Sequence, residues 1–320
     1  MKFDVFNGDA DGVLARHQYR LIFPEKNLHL VSGLKRDIQL LRQVEPVEGL
    51  EIKVFDISLE SNEPEARALL GRGASMEWFD HHARGHLADG QGLLTHIDLS
   101  PHCCSSLIVD AHLEGRARTW AIAGAFGDNL AEVAMPLALK LHLTSYQIEA
   151  LKLLGETLNY NGYGEARSDM AAWPVDLARE LSCYSDPWAY MAASESFDKI
   201  LEQKQADEAI MGQAEILHLS TAGEVSLLPK GKASRRMSGL YSNERVSAEP
   251  DLAHAVITHL EDETGYCVSI RAPKNRPHGA GDLASRFPGG GGRAGAGGIN
   301  VLHKAKLTEF FDAFDEVFSC

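Results

Sequence analysis

The sequence lacks the features of secreted and membrane-spanning proteins. Its 320 residues include only five cysteines, none in a Cys-x-x-Cys pair, which argues against a disulfide framework or zinc ribbon and for a reducing compartment. No apolar run is long enough to cross a bilayer, and residues 1–6 contain no apolar signal-peptide core. We therefore expect a cytoplasmic protein with no membrane partner.

A broad basic surface is also lacking, because the formal net charge is -14. Proteins that grip long nucleic acid by its phosphates usually need such a surface, so we expect no long nucleic-acid partner. A small anionic substrate in a local basic pocket is still compatible with the sequence, because the local field matters more there than the net charge. The oligomeric state is left open, with a homodimer as one option.

Strand-like and helix-like patterns alternate over the first 80 residues. The predicted strands cover 2–6, 28–31, 51–55 and 74–79, and the predicted helices cover 13–23, 35–44 and 64–70. Such alternation predicts an α/β fold in which a mostly parallel sheet carries helices on both faces. The helical spacing then continues from 105 to about 160, before a turn-rich segment at 159–164.

A long polar stretch separates this region from a second one. We predict a first domain over 1–190, a helical connector over 191–214, and a smaller α/β domain over 215–320. In the second domain we expect strands over 224–228, 265–271 and 299–302, and helices over 251–260, 279–287 and 307–318. The basic segment 230–249 has no clear pattern.

Acids and histidines stand where several predicted strands end. They are Asp9, Asp11, Asp56, Asp80, His81 and His82. Ligands of parallel α/β sheets bind at the carboxyl ends of the strands. Any one of these turns alone is explained by ordinary Asx-turn chemistry. Together with Asp128, however, they form a mixed carboxylate and imidazole set.

Such a ligand set suits manganese, magnesium or iron better than structural zinc. Clustered carboxylates repel one another unless cations neutralise them. A pair of metal ions bridged by a carboxylate is the usual arrangement for phosphoester cleavage. The pattern therefore indicates metal-assisted chemistry on a phosphoester.

A glycine-rich run near the carboxyl terminus is the second candidate site. Seven of the ten residues from Gly289 to Gly298 are glycine, and residues 271–293 carry five Lys or Arg and only one acid. Bare backbone amides can approach an anion closely, and a guanidinium can grip phosphate with two hydrogen bonds. The alternative is a flexible linker. The predicted substrate-binding residues are Gly290, Gly291, Gly292, Arg293, Arg271 and Arg286, although solvated surface is the default for the last two.

Four segments, in this order along the chain, resemble the four-motif signature of the DHH phosphoesterase family: Asn7–Gly12, Asp56, Asp80–Ala83 and Gly127–Asp128. The glycine-arginine run resembles the family's DHH-associated C-terminal domain. Members of this size and plan include phosphodiesterases of dinucleotides and short oligonucleotides.

The resemblance implies a role for each motif residue. Asp9 would bind one metal ion and Asp11 the other, and Asp56 would bridge them. The second site would be completed by His81 and Asp128. The remaining roles fall to His82, which would face the substrate phosphate, and Asp80, which would orient an imidazole. The implied cofactor is two Mn²⁺ ions per site, with Mg²⁺ or Fe²⁺ as other options.

The sequence departs from the family pattern at two positions. Val5 stands where members often have a histidine ahead of the first motif. One metal site would therefore be poor in ligands, bind its metal more weakly, or be completed by water or Asn7. Gly292 stands where many members have a histidine, and Arg293 directly follows it. Lys35 and Arg36, after the second strand, are further candidates for a phosphate contact.

The expected function is manganese-dependent hydrolysis of short linear 5′-phosphorylated dinucleotides or oligonucleotides to nucleoside monophosphates. A hydroxide bridging the two metals would be the nucleophile, and pGpG is weakly favoured as substrate. Two enzymatic alternatives are hydrolysis of cyclic dinucleotides and hydrolysis of 3′-phosphoadenosine phosphate or pyrophosphate. A nucleotide-sensing binding protein with a decayed metal site is the third alternative, motivated by Val5.

Overall fold

The computed structural model describes residues 1–90, 92–164 and 166–319, so Cys320 lies outside the described residues. The chain forms two compact units, Met1–Gln203 and a second that begins at Lys204. The division falls within a polar helix, Glu195–Met211. No helix in the described part of the chain is long and apolar enough to cross a bilayer.

The first unit is built on five strands and nine helices among the described residues. The strands are β1 (Lys2–Phe6), β2 (Leu28–Val31), β3 (Glu51–Phe55), β4 (Ser75–Asp80) and β5 (Leu93–Ile97). The helices are α1 (Ala10–Ile22), α2 (Glu63–Leu70), α3 (Ser105–His112), α4 (Arg118–Gly127), α5 (Ala131–Lys140), α6 (Ser145–Asn161), α7 (Pro174–Leu181), α8 (Pro187–Ala193) and α9 (Glu195–Met211).

All five strands are parallel, in the order β2-β1-β3-β4-β5. Alternate side chains point to opposite faces of this sheet. One face carries Val54 and Trp78, which pack in a core with Leu69 of α2. The other face carries Phe55 and Phe79, whose rings contact Tyr19 of α1. Helices therefore cover both faces, which confirms the predicted α/β class.

The helix predicted over 35–44 is wrong. The segment forms turns and one short 3₁₀ helix, Leu40–Gln43. Side chains take up the backbone groups that a helix would use. The Leu34 amide donates to the Asp37 carboxylate, and the Asn62 side chain donates to the Ile38 carbonyl and accepts from the Leu41 amide. The predicted turn region at 159–164 begins three residues later than expected, because α6 continues to Asn161.

The second unit contains a mixed six-stranded sheet in the order β10-β11-β9-β8-β7-β6, in which only β7 and β8 pair in parallel. Its strands are β6 (Glu215–Leu219), β7 (Gly223–Leu227), β8 (Ala253–His259), β9 (Gly265–Arg271), β10 (Gly290–Arg293) and β11 (Ala296–His303). The helices are α10 (Lys232–Ala248), α11 (Ala280–Ser285) and α12 (Leu307–Phe318). A core of aliphatic side chains from the sheet and Phe310 and Phe314 of α12 holds it together.

Two segments of this unit have a secondary structure that their sequence pattern did not predict. The helix predicted over 251–260 is wrong, because this segment contains β8, whose first six residues are all buried. A strand that is covered on both faces has a continuous apolar sequence, and its periodicity does not distinguish it from a buried helix. The basic segment 230–249, which had no clear pattern, is the helix α10.

Candidate metal centre

The carboxyl ends of β1, β3 and β4 bring the predicted acids and histidines together. Asp9 caps the amino terminus of α1 by accepting the Gly12 amide hydrogen at 3.1 Å, and Asp11 lies in the first turn of that helix. Asp56 directly follows β3 in a left-handed conformation, with φ of 59°. Backbone conformations that are rare outside glycine cluster at functional sites because the surrounding structure must hold them.

His81 is the centre of this constellation. Its Nε2 lies 3.4 Å from Asp56 Oδ1, 4.0 Å from Asp11 Oδ2 and 3.9 Å from Asp128 Oδ2. Its Nδ1 donates to the Cys103 carbonyl at 3.1 Å. That hydrogen bond fixes the ring so that Nε2 faces the carboxylates, as is usual for metal-binding imidazoles.

His82 and Asp80 form a separate pair beside this centre. The Nδ1 atom of His82 lies 2.7 Å from Asp80 Oδ1 and 3.8 Å from Asp56 Oδ1. Asp80 is fully buried, whereas the His82 side chain is 46% exposed. The imidazole that Asp80 orients is therefore that of His82, and its open side faces solvent.

Asp9 has a cationic partner that the other acids lack. Lys35 Nζ lies 2.7 Å from Asp9 Oδ2 and also donates to Asn159 Oδ1 at 2.9 Å. Burial by itself raises the pKa of Asp9, but the Lys35 charge and the hydrogen bonds outweigh it and leave that pKa below its usual value. Lys35, one of the phosphate-contact candidates, is thus at the site and holds Asp9 ionised.

Asp56 and Asp128 lie near the buried Asp11 carboxylate with too little positive charge around them. Burial and the neighbouring Asp11 and Asp9 charges raise the pKa of Asp56 well above its usual value. Burial and Asp11 likewise raise the pKa of Asp128 to about 7. Burial lowers the pKa of His81, but the surrounding carboxylates outweigh it and raise it to about 10. Cations would remove this repulsion, so the residues fit the metal ions that the motif implies.

Two serines at the start of α3 support the acids and were not predicted. The backbone amides of Ser105 and Ser106 donate to the two oxygens of Asp11 at 2.8 and 2.7 Å. The Ser105 hydroxyl donates to Asp56 Oδ1 at 3.0 Å. The helix amino terminus also favours the carboxylate through its dipole. The only signal in the sequence was a pair of small polar residues opening a helix.

Cys104, which directly precedes these serines, is a fully buried free cysteine. Its Sγ nevertheless lies within 4.8 Å of one oxygen each of Asp11 and Asp128. Burial and these two charges raise the pKa of the Cys104 thiol well above its usual value. The side chain therefore lines the site as a neutral thiol.

The glycines around the centre allow close packing of the helices that carry it. A Cβ atom on Gly127 would lie 2.5 Å from Ala10 Cβ and 2.8 Å from the Gly155 carbonyl oxygen, so the residue before Asp128 must be glycine. A Cβ atom on Gly124 would lie only 2.2 Å from Ser106 Oγ. Helix α4 can therefore touch α1, α3 and α6 at once, and it ends at Asp128.

Val5 and Asn7 contribute no side-chain ligand in this arrangement. Val5 is fully buried and packs with Val54 and Trp78 on the far face of the sheet. The Asn7 side chain accepts from the Asp9 amide and donates to the Lys35 carbonyl, each at 3.2 Å. These bonds fix the turn between β1 and α1, so the idea that Asn7 replaces the missing histidine gains no support.

The predicted substrate-binding residues lie in the second unit. The run at 290–298 is a β-hairpin of β10 and β11, neither a loop nor a linker. Arg293 is exposed on the edge strand β10, and Arg293 and Arg271 both stand opposite Ala296, so they share one face of the sheet. Arg271 also bonds Asn243 and Ser269, and Arg286 pairs with Glu316 at 2.6 Å.

Close packing explains part of the glycine content. A Cβ atom on Gly290 would lie 2.0 Å from the Ala284 carbonyl oxygen of α11, and one on Gly292 would lie 2.4 Å from the Ala296 oxygen. A Cβ atom on Gly291 would meet nothing within 4 Å. Gly290 and Gly292 are thus required by the hairpin, whereas Gly291 leaves open space above the backbone.

Solved structures share this fold over nearly the whole chain. A DHH domain from a family of ribosomal proteins aligns with a TM-score of 0.64 at 14% identity, covering 99% of this chain and 86% of that one. Exonuclease RecJ bound to manganese aligns with a TM-score of 0.62 at 15% identity, covering 98% and 89%. The pGpG-specific phosphodiesterase PggH from Vibrio cholerae aligns with a TM-score of 0.55 at 14% identity, covering 99% and 98%.

At these identities the likeness establishes the fold: the chain has the fold of DHH-domain proteins. No family model and no curated protein matches the sequence. The fold agrees with the resemblance of the four motifs, but the chemistry must be argued from the site itself.

Proposed function

We propose that this protein is a manganese-dependent phosphodiesterase. The observation that carries the proposal is the convergence of Asp11, Asp56 and Asp128 on the Nε2 atom of His81, at 4.0, 3.4 and 3.9 Å. The raised pKa values of Asp56 and Asp128, beside an oriented imidazole, are typical of a site for metal ions. The structural neighbours, which include a manganese-bound exonuclease and a phosphodiesterase, support the same class of reaction.

Five side chains of the first unit would hold the metal ions: Asp9, Asp11, Asp56, His81 and Asp128. Bound metal ions would supply an activated water nucleophile and positive charge for the substrate phosphate. The protein's own contribution is to keep the ligands in place. The Ser105 and Ser106 amides fix Asp11, the Ser105 hydroxyl fixes Asp56, and the Cys103 carbonyl fixes His81.

His82 is the proposed catalytic residue outside the metal ligands. It is partly exposed, and Asp80 holds its Nδ1 at 2.7 Å. With Nδ1 occupied by Asp80, its Nε2 is the atom that can donate a hydrogen bond to a phosphate oxygen. Asp80 is therefore a positioning residue for His82.

We propose a short linear 5′-phosphorylated dinucleotide or oligonucleotide as the substrate, with pGpG weakly favoured. The net charge of -14 favours a short anion over a long polymer. Arg293 and the open backbone at Gly291 would bind a terminal phosphate, with Arg271 on the same sheet face. A pGpG-specific phosphodiesterase shares this fold, which makes pGpG the first linear dinucleotide to test against cyclic dinucleotides, 3′-phosphoadenosine phosphate and pyrophosphate.

A substrate panel tests the proposal. The purified protein is incubated with Mn²⁺ and pGpG, pApA, cyclic dinucleotides, a five-nucleotide RNA, 3′-phosphoadenosine phosphate or pyrophosphate, and products are separated by chromatography. We expect nucleoside monophosphates from the linear dinucleotides. The double variant Asp80→Ala with His81→Ala should lose manganese-stimulated hydrolysis and retain the circular dichroism spectrum of the folded protein. The variant His102→Ala, which changes an exposed histidine, is the matched control and should keep its activity.

Two results would contradict the proposal. Undiminished turnover in the double variant would show that the chemistry lies elsewhere. Absence of turnover with every substrate, combined with tight metal-independent nucleotide binding, would favour a nucleotide-sensing protein.

A further inference from the structure

A second group of metal-binding side chains lies on the α1-covered face of the sheet, apart from the centre described above. It consists of Glu77 on β4, His96 on β5 and His112 at the end of α3. His96 Nε2 lies 3.1 Å from Glu77 Oε1, and His112 Nε2 lies 3.9 Å from the same oxygen. One ligand atom from each of the three residues lies within 4.8 Å of the others. We propose that these residues bind a transition-metal dication, specifically Zn²⁺.

The chemistry of the three ligands favours zinc. Two imidazoles and one carboxylate form a common zinc set that leaves a fourth position for water. With bonds of about 2.0–2.2 Å at tetrahedral angles, ligand atoms stand about 3.4 Å apart. The 3.1 and 3.9 Å separations bracket that spacing. All three ligand atoms lie within 4.8 Å of one another, so side-chain shifts toward a common point would bring them to one ion.

Aromatic packing fixes the two imidazoles in orientations that suit this role. His96 stacks on Phe79 with ring centroids 4.5 Å apart and planes 9° from parallel, and Phe79 stacks in turn on Phe55. His112 meets the edge of Phe79 at 5.1 Å and of His96 at 4.8 Å. These ring contacts fix the orientations of both imidazoles, and the Nε2 atom of each ring faces Glu77.

The two oxygens of Glu77 have different partners, and Oε1 is hydrogen-bonded to His96 Nε2 at 3.1 Å. Lys53 Nζ and the Tyr19 hydroxyl bind Glu77 Oε2, at 2.6 and 3.0 Å, so Oε1 is the oxygen that faces the histidines. Lys53 competes with a cation for this carboxylate, and its removal should tighten metal binding.

The inferred site is partly open to solvent, which permits ion entry. The exposed fractions of the Glu77, His96 and His112 side chains are 12%, 25% and 28%. The ion would tie the end of α3 to the edge of the sheet. Because the first amides of α3 hold Asp11, zinc here would also fix the helix that supports the proposed catalytic centre.

Zinc binding is tested in a background that lacks the first centre. Asp11→Asn with His81→Gln removes ligands there, and a variant with fewer mutually repelling carboxylates should fold. Metal-free protein of this background is titrated with Zn²⁺ by calorimetry, and bound zinc is counted by elemental analysis after gel filtration. We expect one zinc per chain. The added change His112→Gln or His96→Gln should weaken binding by more than the about 10–100-fold that loss of an outer partner costs.

Three further variants make the test specific. The change His112→Cys should restore binding, because a thiolate also ligates zinc. Lys53→Gln should increase the affinity. The exposed His303→Gln is the matched control and should leave it unchanged. Circular dichroism of each metal-free variant verifies the fold. Absence of zinc from the background protein, or equal affinity in a folded His112→Gln variant, would overturn the inference and leave the cluster as an ion-pair network around Glu77.

Discussion

Substituting Gly124 by alanine should weaken metal binding, although Gly124 is not itself a proposed metal ligand. The added Cβ would lie 2.2 Å from Ser106 Oγ and 2.6 Å from Ser106 Cβ, where no real pair of atoms fits. Helices α3 and α4 must then separate. Overpacking of this kind costs about 1–3 kcal/mol, which for a unit of this size lowers the unfolding midpoint by about 2–12 °C.

The shift should also weaken metal binding, because the amides of Ser105 and Ser106 hold Asp11. Thermal unfolding by circular dichroism and titration with Mn²⁺ measure the two effects. Gly212→Ala is the matched control, since its Cβ would meet only the Ala209 oxygen at 3.5 Å, an ordinary contact.

A second substitution can reverse the first. Ser106→Gly removes both clashing atoms but keeps the backbone amide that binds Asp11. The variant Gly124→Ala with Ser106→Gly should therefore regain most of the lost stability and manganese affinity, which is non-additive behaviour expected of residues in contact. If Gly124→Ala is as stable as the wild type, or if Ser106→Gly makes it worse, the packing argument is refuted.

Four other substitutions probe three separate features of the molecule. Asp80→Asn should lower kcat by about 10²–10⁴-fold with little change in manganese affinity, measured by steady-state kinetics and metal titration; an unchanged kcat would remove His82 from the mechanism. Burial, and then the Arg16 charge, lower the pKa of His17 from 6.5 to about 3. Between these two pH values the unfolded chain binds one more proton than the folded chain, so the free energy of unfolding falls as the pH drops. In His17→Leu the slope of unfolding free energy against pH should be smaller by about 1.4 kcal/mol per pH unit, and equal slopes would contradict this. Gly290→Ala should destabilise the second unit, whereas Gly291→Ala should leave its melting temperature unchanged and raise the KM for pGpG; equal melting temperatures would contradict the packing role.

Much of the architecture was predictable because it depends on local patterns. Alternating strand and helix signals, with acids where strands end, predicted a parallel sheet and the edge at which its polar residues meet. The reason is geometric: parallel strands all end at one edge, so residues far apart in sequence, such as Asp9, Asp56 and His81, become neighbours. The prediction of secondary structure failed where the local pattern did not identify the environment. Strand β8 is buried on both faces, and its continuous apolar sequence resembles that of a buried helix.

Which side chains face each other was decided only by the tertiary structure. The motif resemblance implied different roles for the adjacent His81 and His82, but the atoms that each one meets are set by the turn after β4, which places His81 beside Asp56 and His82 beside Asp80. Ser105 and Ser106 look like ordinary polar residues until α3 aims its amino terminus at Asp11. Glu77, His96 and His112 have no common spacing, because three different elements carry them. The amino-acid sequence was enough to identify the types of ligand and the edge of the sheet at which they meet. Helix packing and strand register determined which side chains become partners, because both depend on contacts between distant parts of the chain.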